Sequence, residues 1–195
     1  MGIGKSKLAW TAWNLEHVPE PVNPRMIVVG RSNVGKSTLL NLLTHPQSHF
    51  RKGSRAGLTI GLICVTIEAG KNRHLDIVDT PGWGYAERPN QDKERWVSLL
   101  ESLRPNNDLP RMWVLLVDPL RDPKDEEISF LNWLEGEAFA LIFTKSDKVG
   151  KKERAAREKV WRHFIESCAY QPLWISAHSQ EGLKEWLALA RGAII

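Results

Sequence analysis

The segment Gly30-Arg31-Ser32-Asn33-Val34-Gly35-Lys36-Ser37 places two glycines five positions apart, then a lysine and a hydroxyl. This G-x-x-x-x-G-K-[ST] pattern suits the binding of a phosphate chain. Its glycines let backbone N–H groups turn inward, and a helix starting at the loop's end adds a favourable potential for anions. Arg31, Ser32, Asn33 and Val34 supply the loop backbone, and Thr38 extends the site into the helix. Lys36 would bridge the β- and γ-phosphates, and Ser37 would place its hydroxyl on Mg2+. A shorter imitation, Gly4-Lys5-Ser6, lacks an upstream glycine and a preceding strand, so it is read as no phosphate site.

Phosphate binding alone does not choose a base. Asp79-Thr80-Pro81-Gly82 follows the apolar run Leu75–Val78. Asp79 would hold Mg2+ through a water, and the Gly82 N–H would sense the γ-phosphate. Thr144-Lys145-Ser146-Asp147 fits [NT]-K-x-D. A carboxylate at Asp147 would accept hydrogen bonds from guanine N1 and N2. Adenine lacks that donor pair, so Asp147 selects GTP over ATP. Lys145 can lay its stem over the base. Ser176-Ala177 offers the Ala177 N–H to guanine O6. Each stretch is weak alone; together they fall in order at strand C-terminal ends, where open α/β sheets bind ligands.

The elements that must position these residues alternate along the chain. Strands are expected at Met26–Val29, Leu62–Glu68, Leu75–Asp79, Met112–Val117, Phe139–Phe143 and Leu173–Ile175. Helices are expected at Ser37–Leu43, Gln91–Leu103, Lys124–Leu134, Lys151–Cys168 and Leu183–Ala190, the fourth with an Ala156/Val160/Phe164 stripe. The alternation implies an α/β three-layer fold: a mostly parallel sheet of about six strands, helices on both faces. The Leu62/Leu75 hairpin should add one antiparallel strand at the edge. Residues 1–24 read as a leader strand and a loop packed on a single domain spanning 25–195.

Composition bounds the rest. The 195 residues are 42% hydrophobic and 26% charged, which suits one domain with a core. No apolar run reaches the ~20 residues of a membrane-spanning helix, and no signal-peptide core stands near the start. Two cysteines argue against a disulfide framework and for a cytoplasmic location. The six histidines show no metal-ligand spacing. The net charge of +4 hides an uneven spread: residues 1–60 carry 8 basic and 2 acidic side chains, 61–144 carry 9 and 15, and 145–162 carry 8 and 3. Such patches fit a polyanionic partner on part of the surface.

The stretches GRSNVGKSTLLNLL at 30–43, DTPGWGYAERP at 79–89 and TKSDK at 144–148 resemble the EngB (YihA/YsxC) family of TRAFAC-class GTPases. The resemblance covers about residues 23–190. It implies a P-loop GTPase domain and a bacterial-type GTPase of large-subunit ribosome assembly, needed for normal cell division and septation. It implies GTP/GDP as ligand and rRNA and ribosomal protein as partners of a monomer. In the first switch, Ser54-Arg55-Ala56-Gly57-Leu58-Thr59 lacks the family's proline but keeps Gly57-x-Thr59. Thr59 is therefore a third expected Mg2+ contact after Ser37 and Asp79, and the catalytic set is Lys36, Thr59 and Gly82. Related GTPases with asparagine at the position of Asn33 use it to ligate K+, a role carried over here.

Many small GTPases orient water with a glutamine just after Asp-x-x-Gly. Here Trp83 stands there and cannot accept a proton, which implies slow intrinsic hydrolysis. Among nine tryptophans, Trp96, Trp113, Trp161, Trp174 and Trp186 read as core. Trp83, between two glycines in the second switch, reads as lying outside the core, moving with nucleotide state and meeting RNA or ribosomal protein. Arg51, Lys52, Arg55, Lys151, Lys152, Arg154 and Arg157 are the candidate RNA contacts. Two alternatives stand beside this reading. One is a nucleotide-sensing regulator of a protein partner with negligible turnover. The other is an ATP-using kinase or ATPase, disfavoured by Asp147 and the lack of a lid segment.

Overall fold

A computed structural model describes residues 4–44, 50, 61–68, 72–83, 90–104, 109–134 and 137–193. The strands are β1 (Ser6–Ala12), β2 (Arg25–Gly30), β3 (Leu62–Glu68), β4 (His74–Asp79), β5 (Arg111–Val117), β6 (Phe139–Phe143) and β7 (Leu173–Trp174). The helices are α1 (Lys36–Leu43), α2 (Asn90–Glu101), α3 (Asp125–Trp133), α4 (Lys151–Val160), α5 (Arg162–Glu166) and α6 (Leu183–Gly192).

One sheet orders the strands β1-β3-β4-β2-β5-β6-β7. β2 lies at its centre, parallel to β4 and β5, with Val28 opposite Asp79 and Gly30 opposite Leu116. This register brings the end of β4 level with the end of β2. The central strands are continuous apolar runs because both faces are covered. Alternation divides them: Ile27, Val29, Trp113, Leu115, Leu141 and Phe143 pack on one face with residues of α2, α3 and α5. Met26, Val28, Val114, Leu116 and Ile142 pack on the other with α1 and α6.

Seven strands replace the expected six. The addition is β1, which pairs antiparallel with β3 from Ser6↔Ile67 to Ala12↔Leu62. β3 is the one strand running against the rest, but it is second from the edge, and β1 takes the edge. Lys7, Leu8 and Ala9 of β1 are exposed, and the strand is held by main-chain bonds to β3 and by Trp10 and Ala12 on the core. The expected helix over 151–168 is also corrected. It breaks at Trp161 (φ −94°, ψ 11°), whose ring turns inward against Phe143 and Phe164. The inward face is therefore Trp161 and Phe164, while Ala156 and Val160 face solvent.

Candidate nucleotide-binding site

The phosphate loop is the turn between β2 and α1. Gly30 (φ +147°), Asn33 (φ +61°) and Gly35 (φ +114°) bend it through the left-handed region, where glycine carries no Cβ penalty. A Cβ on Gly30 would sit 2.4 Å from the Leu116 carbonyl oxygen. At Gly35 a Cβ would meet nothing within 4 Å, so its left-handed φ, not crowding, is what favours glycine there.

Lys36 is buried and donates from Nζ to the Gly30 and Arg31 carbonyl oxygens at 3.0 and 3.2 Å. An ammonium has three donors, so one remains for a phosphate oxygen. Burial lowers its pKa to about 8, with Asp79 pulling the other way. Asp79 is fully buried and accepts from Ser37 Oγ at 2.8 Å. Burial raises its pKa to about 6, against the pull of Lys36 and of the Ser37 bond. Its Oδ1 has no hydrogen-bond partner among the described residues. An unsatisfied buried acceptor is costly, and a hard divalent cation, which takes oxygen ligands, would satisfy it. The residues present therefore fit Mg2+, with Ser37 and Asp79 to hold it. Gly57 and Thr59 lie outside the described residues, as do Arg51, Lys52 and Arg55.

Gly82 lies against the loop. A Cβ there would fall 2.7 Å from Ser32 Cα and N and 2.9 Å from Lys36 Nζ. Trp96 Nε1 donates to the Pro81 carbonyl at 2.9 Å and fixes the approach. The expectation that Trp83 stands outside the core is corrected. Trp83 is 8% exposed, edge-on to Trp96 and packed on Phe130. Its indole N–H donates to buried Glu127 at 2.9 Å. The signal that could have found this is the apolar face of α3, with Phe130 and Leu131 facing the sheet.

On the base side, Thr144 Oγ1 donates to the Val34 and Val117 carbonyls, tying the β6 end to the phosphate loop. Lys145 takes a left-handed φ of +54° and pairs with Asp118 at 2.9 Å. Asp147 is exposed and accepts from Ser176 Oγ. That bond holds its pKa below the usual carboxylate value, so it is an anion at neutral pH. Ala177 is half-buried beside Ser176. Sequence reasoning missed what braces this loop. Glu181 accepts from Ser146 Oγ and from both Arg154 Nη atoms, the latter at 2.8 Å. The Arg154 and Ser146 bonds push Glu181 down to about 2. Nothing in local spacing links positions 146, 154 and 181; the parallel β6–β7 pairing does.

Two proposed RNA contacts are corrected as well. Arg154 is spent on Glu181, and Arg157 on Asp122 and the Pro119 and Arg121 carbonyls. Lys151 and Lys152 remain exposed.

The structure thus gathers residues 30–38, Asp79 and Gly82 at the ends of β2 and β4, and 144–147 with 176–177 at the ends of β6 and β7. The fold and this arrangement define a P-loop GTPase. The family described as "50S ribosome-binding GTPase" matches residues 25–145. A probable GTP-binding protein EngB of Thermoanaerobacter pseudethanolicus is 34% identical over 167 residues, 84% of this chain and 85% of that one. Its counterpart in Caldanaerobacter subterraneus subsp. tengcongensis is 31% identical over 192 residues, 97% and 96% of the two chains. The chain belongs to the EngB family of 50S ribosome-binding GTPases. Among solved structures, a probable GTP-binding protein engB superposes with TM-score 0.56 at 24% identity, covering 86% of this chain and 98% of that one. An Aquifex aeolicus Era variant bound to GDP and AlF4− reaches TM-score 0.68 at 20% identity, covering 88% and 56%. Both likenesses are of fold.

Proposed function

We propose that this protein is a Mg2+-dependent guanine-nucleotide switch that acts in large ribosomal subunit assembly and turns GTP over slowly. The observation that carries this is the placement of Lys36, Asp79 and the anionic Asp147 at the C-terminal ends of β2, β4 and β6 in one sheet. Ser37, Asp79 and Thr59 would hold Mg2+, which would supply positive charge to the phosphates. Lys36 and the loop N–H groups bind the β- and γ-phosphates and stabilise the charge developing there. Gly82 offers its N–H to the terminal phosphate. Asp147, Lys145 and Ala177 bind guanine, and Thr144 holds their loop against Val34.

Slow turnover follows from Trp83. Its only polar side-chain group is a donor, already given to Glu127, so it takes no proton from the attacking water. Asn33, at the loop's left-handed turn, would hold K+ and bring positive charge to the phosphates. Phosphate release from GTP is expected to be several-fold faster in KCl than in NaCl, and Asn33→Ala should remove the difference. Equal rates in both salts would sink the K+ role. The setting proposed with this role is a cytoplasmic monomer needed for cell division. Among the described residues no helix is long and apolar enough to cross a membrane. Release of phosphate from GTP, challenged with excess ATP, tests the nucleotide assignment: ATP should not compete, and effective competition would overturn it.

A further inference from the structure

Glu127 lies in the first turn of α3, outside every motif that carries the nucleotide chemistry, yet it is 2% exposed. Its carboxylate accepts two hydrogen bonds, one from Trp83 and one from the N-cap of its own helix, and forms an ion pair with the phosphate loop. Oε1 accepts from Trp83 Nε1 at 2.9 Å, and Oε2 accepts from the Lys124 N–H at 2.9 Å. Arg31 Nη1, from the phosphate loop, stands 3.5 Å from Oε2. The circuit closes through the backbone: the Ser32 N–H donates to the Trp83 carbonyl at 2.9 Å, and Arg31 and Trp83 form a parallel bridge. One buried carboxylate thus pins the residue after Gly82 to the phosphate loop.

The pin bears on which nucleotide fits. Gly82 is pressed on Ser32 and faces Lys36 Nζ. A third phosphate must enter between Lys36 and Gly82 and needs N–H donors there, and the nearby Ser32 N–H is already taken by Trp83. We propose that Glu127 is a positioning residue that holds the protein in its diphosphate-binding arrangement, so that a guanosine triphosphate must draw Gly82 and Trp83 away from it. This rests on the guanine-nucleotide reading above. Glu127 touches no nucleotide; it acts through Trp83 and Arg31.

The test is the ratio of affinities for GDP and a non-hydrolysable GTP analogue, with far-UV circular dichroism as a fold control. A merely structural glutamate would lower stability and weaken both nucleotides alike. Glu127→Gln removes the charge facing Arg31. Trp83→Phe keeps a ring against Trp96 and Phe130 but removes the donor. Each is expected to shift the ratio toward the triphosphate by roughly tenfold, the weight of one hydrogen bond to a charged group. The double variant should shift it no further than the larger single change, because both break one coupled unit. If Glu127→Gln does not fold, Trp83→Phe decides alone. A ratio within twofold of wild type overturns the latch while leaving nucleotide binding intact. Failure of the wild-type protein to bind either guanine nucleotide overturns both.

Discussion

Lys36→Ala is expected to cut affinity for GDP and GTP by two to three orders of magnitude. The lysine is buried beneath the loop, with two N–H groups on the Gly30 and Arg31 carbonyls and its charge beside Gly82. Hydrogen bonds between charged groups contribute about 1.5–3 kcal/mol each. Loss of the one such bond left for phosphate, together with the ammonium's direct attraction for the phosphate charge, and with each ~1.4 kcal/mol worth tenfold, gives that range. The fold should survive, because the charge is a burden to the free protein. Burial puts the folded pKa at about 8, below the unfolded 10.5. The folded state therefore binds fewer protons between those values, and the free protein gains stability as pH rises through that window. Nucleotide binding runs the other way. Phosphates favour the ammonium, so wild-type affinity should fall as pH climbs above about 8, and Lys36→Ala should flatten that dependence. Titration of a fluorescent GDP across pH checks both points. A loss under tenfold in the variant would show that the loop binds phosphate without this lysine.

Asp147→Asn is expected to move base preference from guanine to xanthine. The carboxylate presents two acceptors to the guanine N1–H and N2–H. An asparagine presents one acceptor and one donor, which repels the N2 amine but suits the C2 carbonyl of xanthine. Loss of one charged hydrogen bond plus an unmatched donor pair costs roughly 3–4 kcal/mol, a factor of 10^2–10^3 against GDP. The exchange should leave the loop in place, because its brace is elsewhere. Ser146, Arg154 and Glu181 hold the turn, and Thr144 ties it to Val34. Competition of GDP, XDP and ADP for the variant measures the change. Retained guanine preference would mean that another group reads the base.

Residues that carry chemistry were legible because each motif is local. Gly30 to Ser37 is one loop, Asp79 to Gly82 one strand end, and Thr144 to Asp147 another. The central strands were legible for the same reason: Met112–Val117 is apolar along its length and can only be buried on both faces. What escaped was the non-local bracing. Glu181 is joined to Ser146 and Arg154 across the sheet edge, and Glu127 meets Trp83 only after α3 folds back on β2 and β4. The leader strand was legible, but its place at the sheet edge beside β3 was not, because strand pairing is non-local. Trp83 misled for a related reason. Flanking glycines favour a turn, but the burial of a large ring depends on partners distant in sequence, here Trp96 and Phe130.

Those braces place the exposed Lys151 and Lys152, at the start of α4, near the guanine loop rather than in it. Contacts of such lysines with rRNA would be phosphate-led and salt-sensitive. The measurement that bears most directly on a nucleotide-driven role in subunit assembly is co-sedimentation with isolated large ribosomal subunits, in GDP and in a non-hydrolysable GTP analogue. The protein should pellet with the subunits in the triphosphate state and stay largely in the supernatant with GDP. Equal partition in both states, or no association in either, would contradict it.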